Sequence, residues 1–213
     1  MDWLAKNWEL VIGLSGVQVG LSIVPVVAGL LIALPLGWVA FRYRSVGRFL
    51  VPASGLLYTI PSLPLFIALP IMLGTSILDP FNLVVGLTIY AVALFVRQIA
   101  DALASVSPDV RQASMAIGYS AWQRFWRVDL PLAGPVLLSG LRVVAVSTVS
   151  LVSIGSVIGV TSLGYLFLNG FKRGIAAEVL TGIIATVIIA FVFDAALVLL
   201  GRLVMPWTRR KTS

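Results

Sequence analysis

Side chains able to do chemistry are few in this sequence, and they do not assemble into a catalytic set. There is no histidine and no cysteine among the 213 residues. That removes the commonest metal ligand and general base, together with any disulfide, iron–sulfur or thiolate zinc site. The eight acids are scattered. No carboxylates stand paired, and there is no nucleophile elbow, metal cluster or G-x-x-x-x-G-K-[ST] phosphate loop. No catalytic residue, no metal site and no cofactor bound by this chain are expected. Any nucleotide the protein depends on must be held by another chain.

The polar groups that remain stand inside apolar runs, where each needs an account. Asp194 lies in a long apolar stretch, and a carboxylate in lipid is costly. It reads either as a proton or cation site on a transport path, or as one half of an ion pair or hydrogen bond with Arg97, Arg142 or polar backbone. The pair is the preferred reading. Ser147, Thr148, Ser150, Ser153 and Ser156 make one apolar run rich in hydroxyls. These could line an aqueous path or bond back to their own helix. In Thr59-Ile60-Pro61-Ser62-Leu63, Pro61 and the nearby Pro64 free backbone carbonyls in the middle of another run. That break suits a path for a small solute, and equally a kink that only shapes packing. Thr59, Pro61, Ser62, Ser150 and Ser153 are the candidate path residues.

The elements that carry these groups are membrane spans. The chain is 60% hydrophobic and 11% charged, against about 25% charged in soluble domains. Apolar runs of about 20 residues recur, and in lipid such runs must be helical because the backbone has to satisfy its own hydrogen bonds. The expected fold is an all-α polytopic membrane protein forming a single domain over 1–213. Five spans are expected near 17–41, 49–74, 83–103, 132–160 and 178–204. Residues 1–16, with Trp3 and Trp8, read as a short interfacial helix. Asp2 ahead of Lys6, and an apolar run continuing to Phe41, do not fit a signal peptide. Pro52, Pro61, Pro64 and Pro70 should kink or unwind the second span. Residues 161–177 read as a mixed external segment, and 206–213 as a short basic tail. Gly16/Gly20 and Gly155/Gly159 are small-xxx-small pairs, suited to packing inside one chain or to a dimer contact.

Orientation follows from the basic residues. Twelve of the fifteen lie in the 42–48 loop, in the 97–142 region and from Arg202 onward, leaving Lys6, Lys172 and Arg173 for the other side. This places the N-terminus outside and the C-terminus inside. It also accounts for the net charge of +7 without nucleic acid.

The long polar interruption is 107–131, SPDVRQASMAIGYSAWQRFWRVDLP. Ser107 suits an N-cap, Pro108 the first helical position and Asp109 the positive end of the dipole. Gly118 can end that helix in a left-handed turn. Ser120 and Gln123 then form a capping box for a second helix, and Pro131 should stop the local pattern and open the next apolar run. Two short helices around a glycine also describe a generic loop or a DNA-reading motif, with Arg111, Arg124 and Arg127 on phosphates. A DNA reader tethered this closely between two spans is disfavoured.

This segment resembles the EAA loop of bacterial ABC-importer permeases: E-A-A, three residues, G, nine residues, I-x-L-P. Gln112, Ala113 and Ser114 stand at E-A-A, Gly118 at the glycine, and Val128, Asp129, Leu130 and Pro131 at I-x-L-P. The departures are Gln for Glu, Ser for the second Ala and Val for Ile. The resemblance implies a type I permease arrangement, with this loop as the helix that couples to an ATPase through Gln112, Ala113, Ser114, Gly118, Val128, Leu130 and Pro131. The TIPSL stretch and the ending TGIIATVIIAFVFDAALVLLGRL are similar to the osmoprotectant branch, for glycine betaine, carnitine or choline. The implied partners are two ABC ATPase subunits holding ATP and Mg, a second permease chain, identical or homologous, and a separate extracytoplasmic substrate-binding protein. The implied location is a bacterial or archaeal cytoplasmic membrane. Methionine or another amino acid is the alternative cargo, and an ATP-independent channel or carrier the alternative class.

Overall fold

A computed structural model describes residues 2–207; Met1 and most of the expected basic tail, 208–213, lie outside them. The described residues form helices and turns, without strand. Helix α1 runs from Asp2 to Arg42, 41 residues. At 1.5 Å per residue it is about 60 Å long, roughly twice the hydrocarbon core. Its one non-helical residue is Asn7, whose amide donates back to the Trp3 carbonyl at 2.8 Å. No break separates residues 8–16 from 17–41, because no residue there stops a helix. Pro25 and Pro35 are carried inside it.

The second apolar run is α2 (Arg44–Thr59) followed by α3 (Ser62–Leu73), bent by 99°. Only Pro61 of the four prolines marks the break. Pro52 and Pro70 lie within helices, and Pro64 sits in the first turn of α3, where the backbone N–H has no intrahelical partner to lose. Ile60 is extended, as the residue before a proline prefers. Its carbonyl is taken by the Tyr90 hydroxyl at 2.6 Å. The break thus persists because a side chain from another helix satisfies the backbone it exposes.

Helix α4 (Pro80–Ala104) is the central pillar, capped by Asp79, which accepts from the Phe81 N–H at 2.9 Å. Ala33 of α1 and Val96, Ile99 and Leu103 of α4 form the core with Val144 from a later helix. After α5 (Pro108–Ala116) and α6 (Ala121–Arg124), a π-helical turn (Phe125–Asp129) leads into α7 (Leu130–Ile154), a 3-10 turn (Gly155–Ile158), α8 (Gly164–Arg173) and α9 (Ala176–Val204). Four helical stretches are long and apolar enough to cross a membrane, five if the bent pair counts as one span.

A buried glutamine ties the first helix to the last third of the chain. Gln18 donates to the Val149 carbonyl at 2.7 Å and to Ser153 Oγ at 3.2 Å, and accepts from the Leu163 N–H at 3.2 Å. The turn before α8 is therefore held against α7. Gly164 sits so close there that a side chain would overlap the Ser153 carbonyl. Backbone cannot swing aside, so Gly164→Ala is expected to lower stability by about 1–3 kcal/mol. Gly16→Ala, with nothing within 4 Å of the added carbon, should be neutral within about 0.5 kcal/mol. Thermal midpoints in detergent compare the two. Of the two small-residue pairs, Gly155 packs on Leu83 and Gly159 on Leu78, while Gly16 and Gly20 face open space.

Candidate functional site

The interspan segment is built by local chemistry. Ser107 Oγ accepts from the Asp109 N–H at 3.3 Å, opening α5 with Pro108 in its first turn. Gly118 takes φ +87°, the left-handed value that releases the chain from α5. Ser120 and Gln123 close a reciprocal capping box, Gln123 N–H to Ser120 Oγ at 3.3 Å and Ser120 N–H to Gln123 Oε1 at 3.0 Å. Pro131 opens the next apolar run, in the first turn of α7, but the expectation that it stops the local pattern is corrected: α6 continues through the π turn into α7. The Leu130 N–H reaches back five residues to the Phe125 carbonyl. The wider turn inserts a residue just ahead of Pro131, which eases the ring past the preceding carbonyls.

The seven residues aligned with the EAA pattern divide in two. Gln112, Ala113 and Gly118 are exposed, whereas Ser114 is buried and Val128, Leu130 and Pro131 are partly covered. Ser114 Oγ donates to the Arg111 carbonyl at 2.7 Å, so it stabilises α5 from within. The outward surface of α5 and its turn includes the apolar Val110, Met115 and Ile117, Ile117 at 72%, beside the exposed Asp109 and Gln112.

Behind that surface lies a charged cluster that sequence reasoning missed. Asp129 is buried. It accepts from Arg111 Nε at 2.8 Å, and Arg124 Nε stands 3.6 Å away. Arg111 also donates to the Leu103 carbonyl at the end of α4 and lies over the Phe41 ring, 4.5 Å from its centroid. One guanidinium therefore joins α5 to α1, α4 and the π turn. The available signal was that Asp129 is the single acid between Asp109 and Glu178. Trp38 of α1 packs on Trp122 and Phe125 at 6.0 and 5.6 Å, adding an aromatic contact to the same junction.

The candidate path residues do not form one site. Thr59 and Pro61 are exposed at the α2/α3 break, with Ser62 half-buried beside them. The Thr59 hydroxyl donates to the Leu56 carbonyl at 2.7 Å. Ser150 and Ser153 instead line a hollow of about 530 Å³ with Gly164, Phe167, Phe171 and Val179. The hydroxyls of the fourth run are divided too: Thr148 bonds back to the Val144 carbonyl at 2.8 Å, whereas Ser156 meets Ser162 at 2.9 Å.

Of the two arginines considered for Asp194, Arg142 takes both carboxylate oxygens, at 2.6 and 2.7 Å. This two-point bond links α7 to α9. Arg97 stands elsewhere, 3.8 Å from Asp101. Glu178 is the other enclosed acid. It accepts from Asn169 at 2.6 Å through one oxygen and pins the start of α9 to α8.

Comparison with known proteins agrees with this arrangement. Over 184 residues the chain is 32% identical to the osmoprotectant import permease protein OsmW of Salmonella typhimurium, covering 85% of this chain and 82% of that one. It is 26% identical over 192 residues to the glycine betaine/carnitine/choline transport system permease protein OpuCD of Bacillus subtilis, 90% of this chain and 82% of that one. A chain of the MetNI methionine ABC transporter, in an inward-facing crystal form, shares the fold with a TM-score of 0.79 over 93% of this chain and 98% of that one, at 23% identity. The profile of one family matches residues 17–210. With its apolar helices and the helical interruption between α4 and α7, this multi-pass membrane protein belongs to that family, the binding-protein-dependent transport system inner membrane components.

Proposed function

We propose that the chain is the membrane-spanning subunit of an ATP-driven importer for quaternary-ammonium osmoprotectants such as glycine betaine, carnitine or choline. The observation that carries the transport mechanism is the outward apolar surface of Met115 and Ile117, presented between two spans by a turn that only Gly118 makes easily. A water-facing apolar patch at a rigid junction suits a protein partner. That partner is an ABC ATPase subunit, which holds ATP and Mg. The basic end of the bundle, with this segment, faces the cytoplasm. The opposite end, with α8, receives a separate loaded binding protein. Two permease chains enclose the path, and each meets one ATPase. Closure of the ATPase pair pushes α5, and the Arg111 junction passes the movement to α1, α4 and α7. The cargo class is supported by the relatives named for osmoprotectants. The shared fold with MetNI supports methionine as the second cargo reading.

Uptake of labelled glycine betaine into proteoliposomes holding this chain, its ATPase and its binding protein tests the proposal. Uptake that needs ATP is the expected result. Active ATPase without betaine uptake would discard the cargo, and uptake indifferent to ATP would discard the importer.

A further inference from the structure

Helix α4 shows only two exposed side chains between Asn82 and Leu103, and both are charged: Arg97 and Asp101. The open face along the middle of α9 is apolar instead, presenting Ile184, Val187, Phe191 and Leu199. Lipid accepts the second kind of face and rejects the first. The window on α4 is therefore matched to water or a polar partner rather than to lipid tails. Nor is it closed by its own ion pair. Arg97 and Asp101 stand 3.8 Å apart with side chains 69% and 70% exposed, whereas Arg142 and Asp194 meet at 2.6 Å. The first pair keeps most of its hydrogen-bonding capacity for something else.

Facing the pair is a hollow of about 630 Å³, completed by Val51, Pro52, Gly55 and Leu56 of α2. A side chain added at Gly55 would meet nothing within 4 Å, so the space extends over that position. One helical turn further, on the same face of α2, comes Thr59, beside the break where the backbone turns by 99°. The open side of α2 thus leads from the broken span to the charged pair.

We propose that this hollow is a station for the cargo, and that it recognises a zwitterion: the Arg97 guanidinium takes a carboxylate while Asp101 faces a quaternary ammonium. The proposal rests on the osmoprotectant reading above. It assigns opposite charges in a fixed order along α4, with the cation-binding group nearer the 107–129 segment. A cation without a carboxylate would use Asp101 alone. The competing account has Arg97 reaching along the helix to lipid headgroups, in which case neither residue discriminates between cargoes.

The test uses the assembled transporter, with ATPase and binding protein, in proteoliposomes, and two probes: glycine betaine, a zwitterion, and choline, a cation. Both side chains are exposed, so their variants should fold. Loss of one charge-assisted contact is worth about tenfold or more. Arg97→Gln should cut betaine uptake by about that factor while choline uptake stays within about twofold of wild type, and Asp101→Asn should cut both. Arg97→Lys should restore betaine uptake. Gly55→Phe, filling the hollow, should block both probes while the binding protein still stimulates ATP hydrolysis. If wild type carries betaine alone, the Gln-against-Lys contrast at position 97 decides. Equal loss of both probes in Arg97→Gln, or unchanged betaine uptake, overturns the inference. Wild type that hydrolyses ATP but moves neither probe overturns the cargo reading on which it rests.

Discussion

Gly118→Pro is expected to abolish ATP-driven uptake, by at least about tenfold, while the complex still assembles. The residue holds φ +87°, and proline is locked near −65°. Proline also removes the Gly118 N–H, which donates to the Met115 carbonyl at 3.0 Å. It further disfavours the conformation of Ile117, at φ −85° and ψ 8°. The end of α5 must then leave in another direction, re-aiming Met115 and Ile117 away from the partner they are proposed to meet. Nothing lies within 4 Å of a carbon added at this position, so the effect is one of backbone direction rather than crowding. Gly118→Ala isolates the backbone strain, about 1–2 kcal/mol, and should give an intermediate loss. Uptake is the measurement, with co-purification of the ATPase as control. An assembled Gly118→Pro complex that transports normally would show that this turn carries no coupling.

Asp129→Ala should be the most destabilising single change at the same junction. It leaves Arg111 without its closest ionic partner in a place where Asp129 itself is buried. Breaking a buried pair from one side costs about 3–5 kcal/mol, because the remaining charge stays out of water. Arg111 keeps the Leu103 carbonyl and the Phe41 ring, which places the loss nearer the lower figure. Replacing Arg111 and Asp129 together by methionine and leucine should cost less than Asp129→Ala alone, since Arg111 is then not stranded and only the longer 3.6 Å contact of Arg124 is lost. The temperature at which half of the monodisperse protein is lost in detergent ranks the two against wild type. A double variant less stable than Asp129→Ala would refute the stranded-charge explanation.

The two variants also separate what the sequence determined from what only tertiary structure decided. Segments governed by neighbours in sequence were legible. The long apolar runs had to be helices, because lipid offers the backbone no other partner. Ser107, Gly118 and the Ser120–Gln123 box act over two or three residues, so their geometry is written in the local order of side chains. Pro131 opens the next apolar run as expected, but its failure to separate that run from the helix before it was not legible, because the remedy, a π turn, depends on how the helix is held on both sides.

Long-range pairing was not legible. Arg97 and Arg142 were equal candidates for Asp194 until the packing of α7 on α9 brought one to it across 52 positions. Four prolines could have broken the second span. Pro61 marks the break because Tyr90, 30 positions on, supplies the hydroxyl that Ile60 needs. Asp129 and Arg111 lie 18 residues apart, and no helical periodicity relates them across the Gly118 turn. Which acids are paired, which are enclosed and which face water depends on the mutual approach of whole helices. Their relative placement is set by the sum of many apolar contacts and a few close glycine crossings, and no single stretch of sequence encodes that sum.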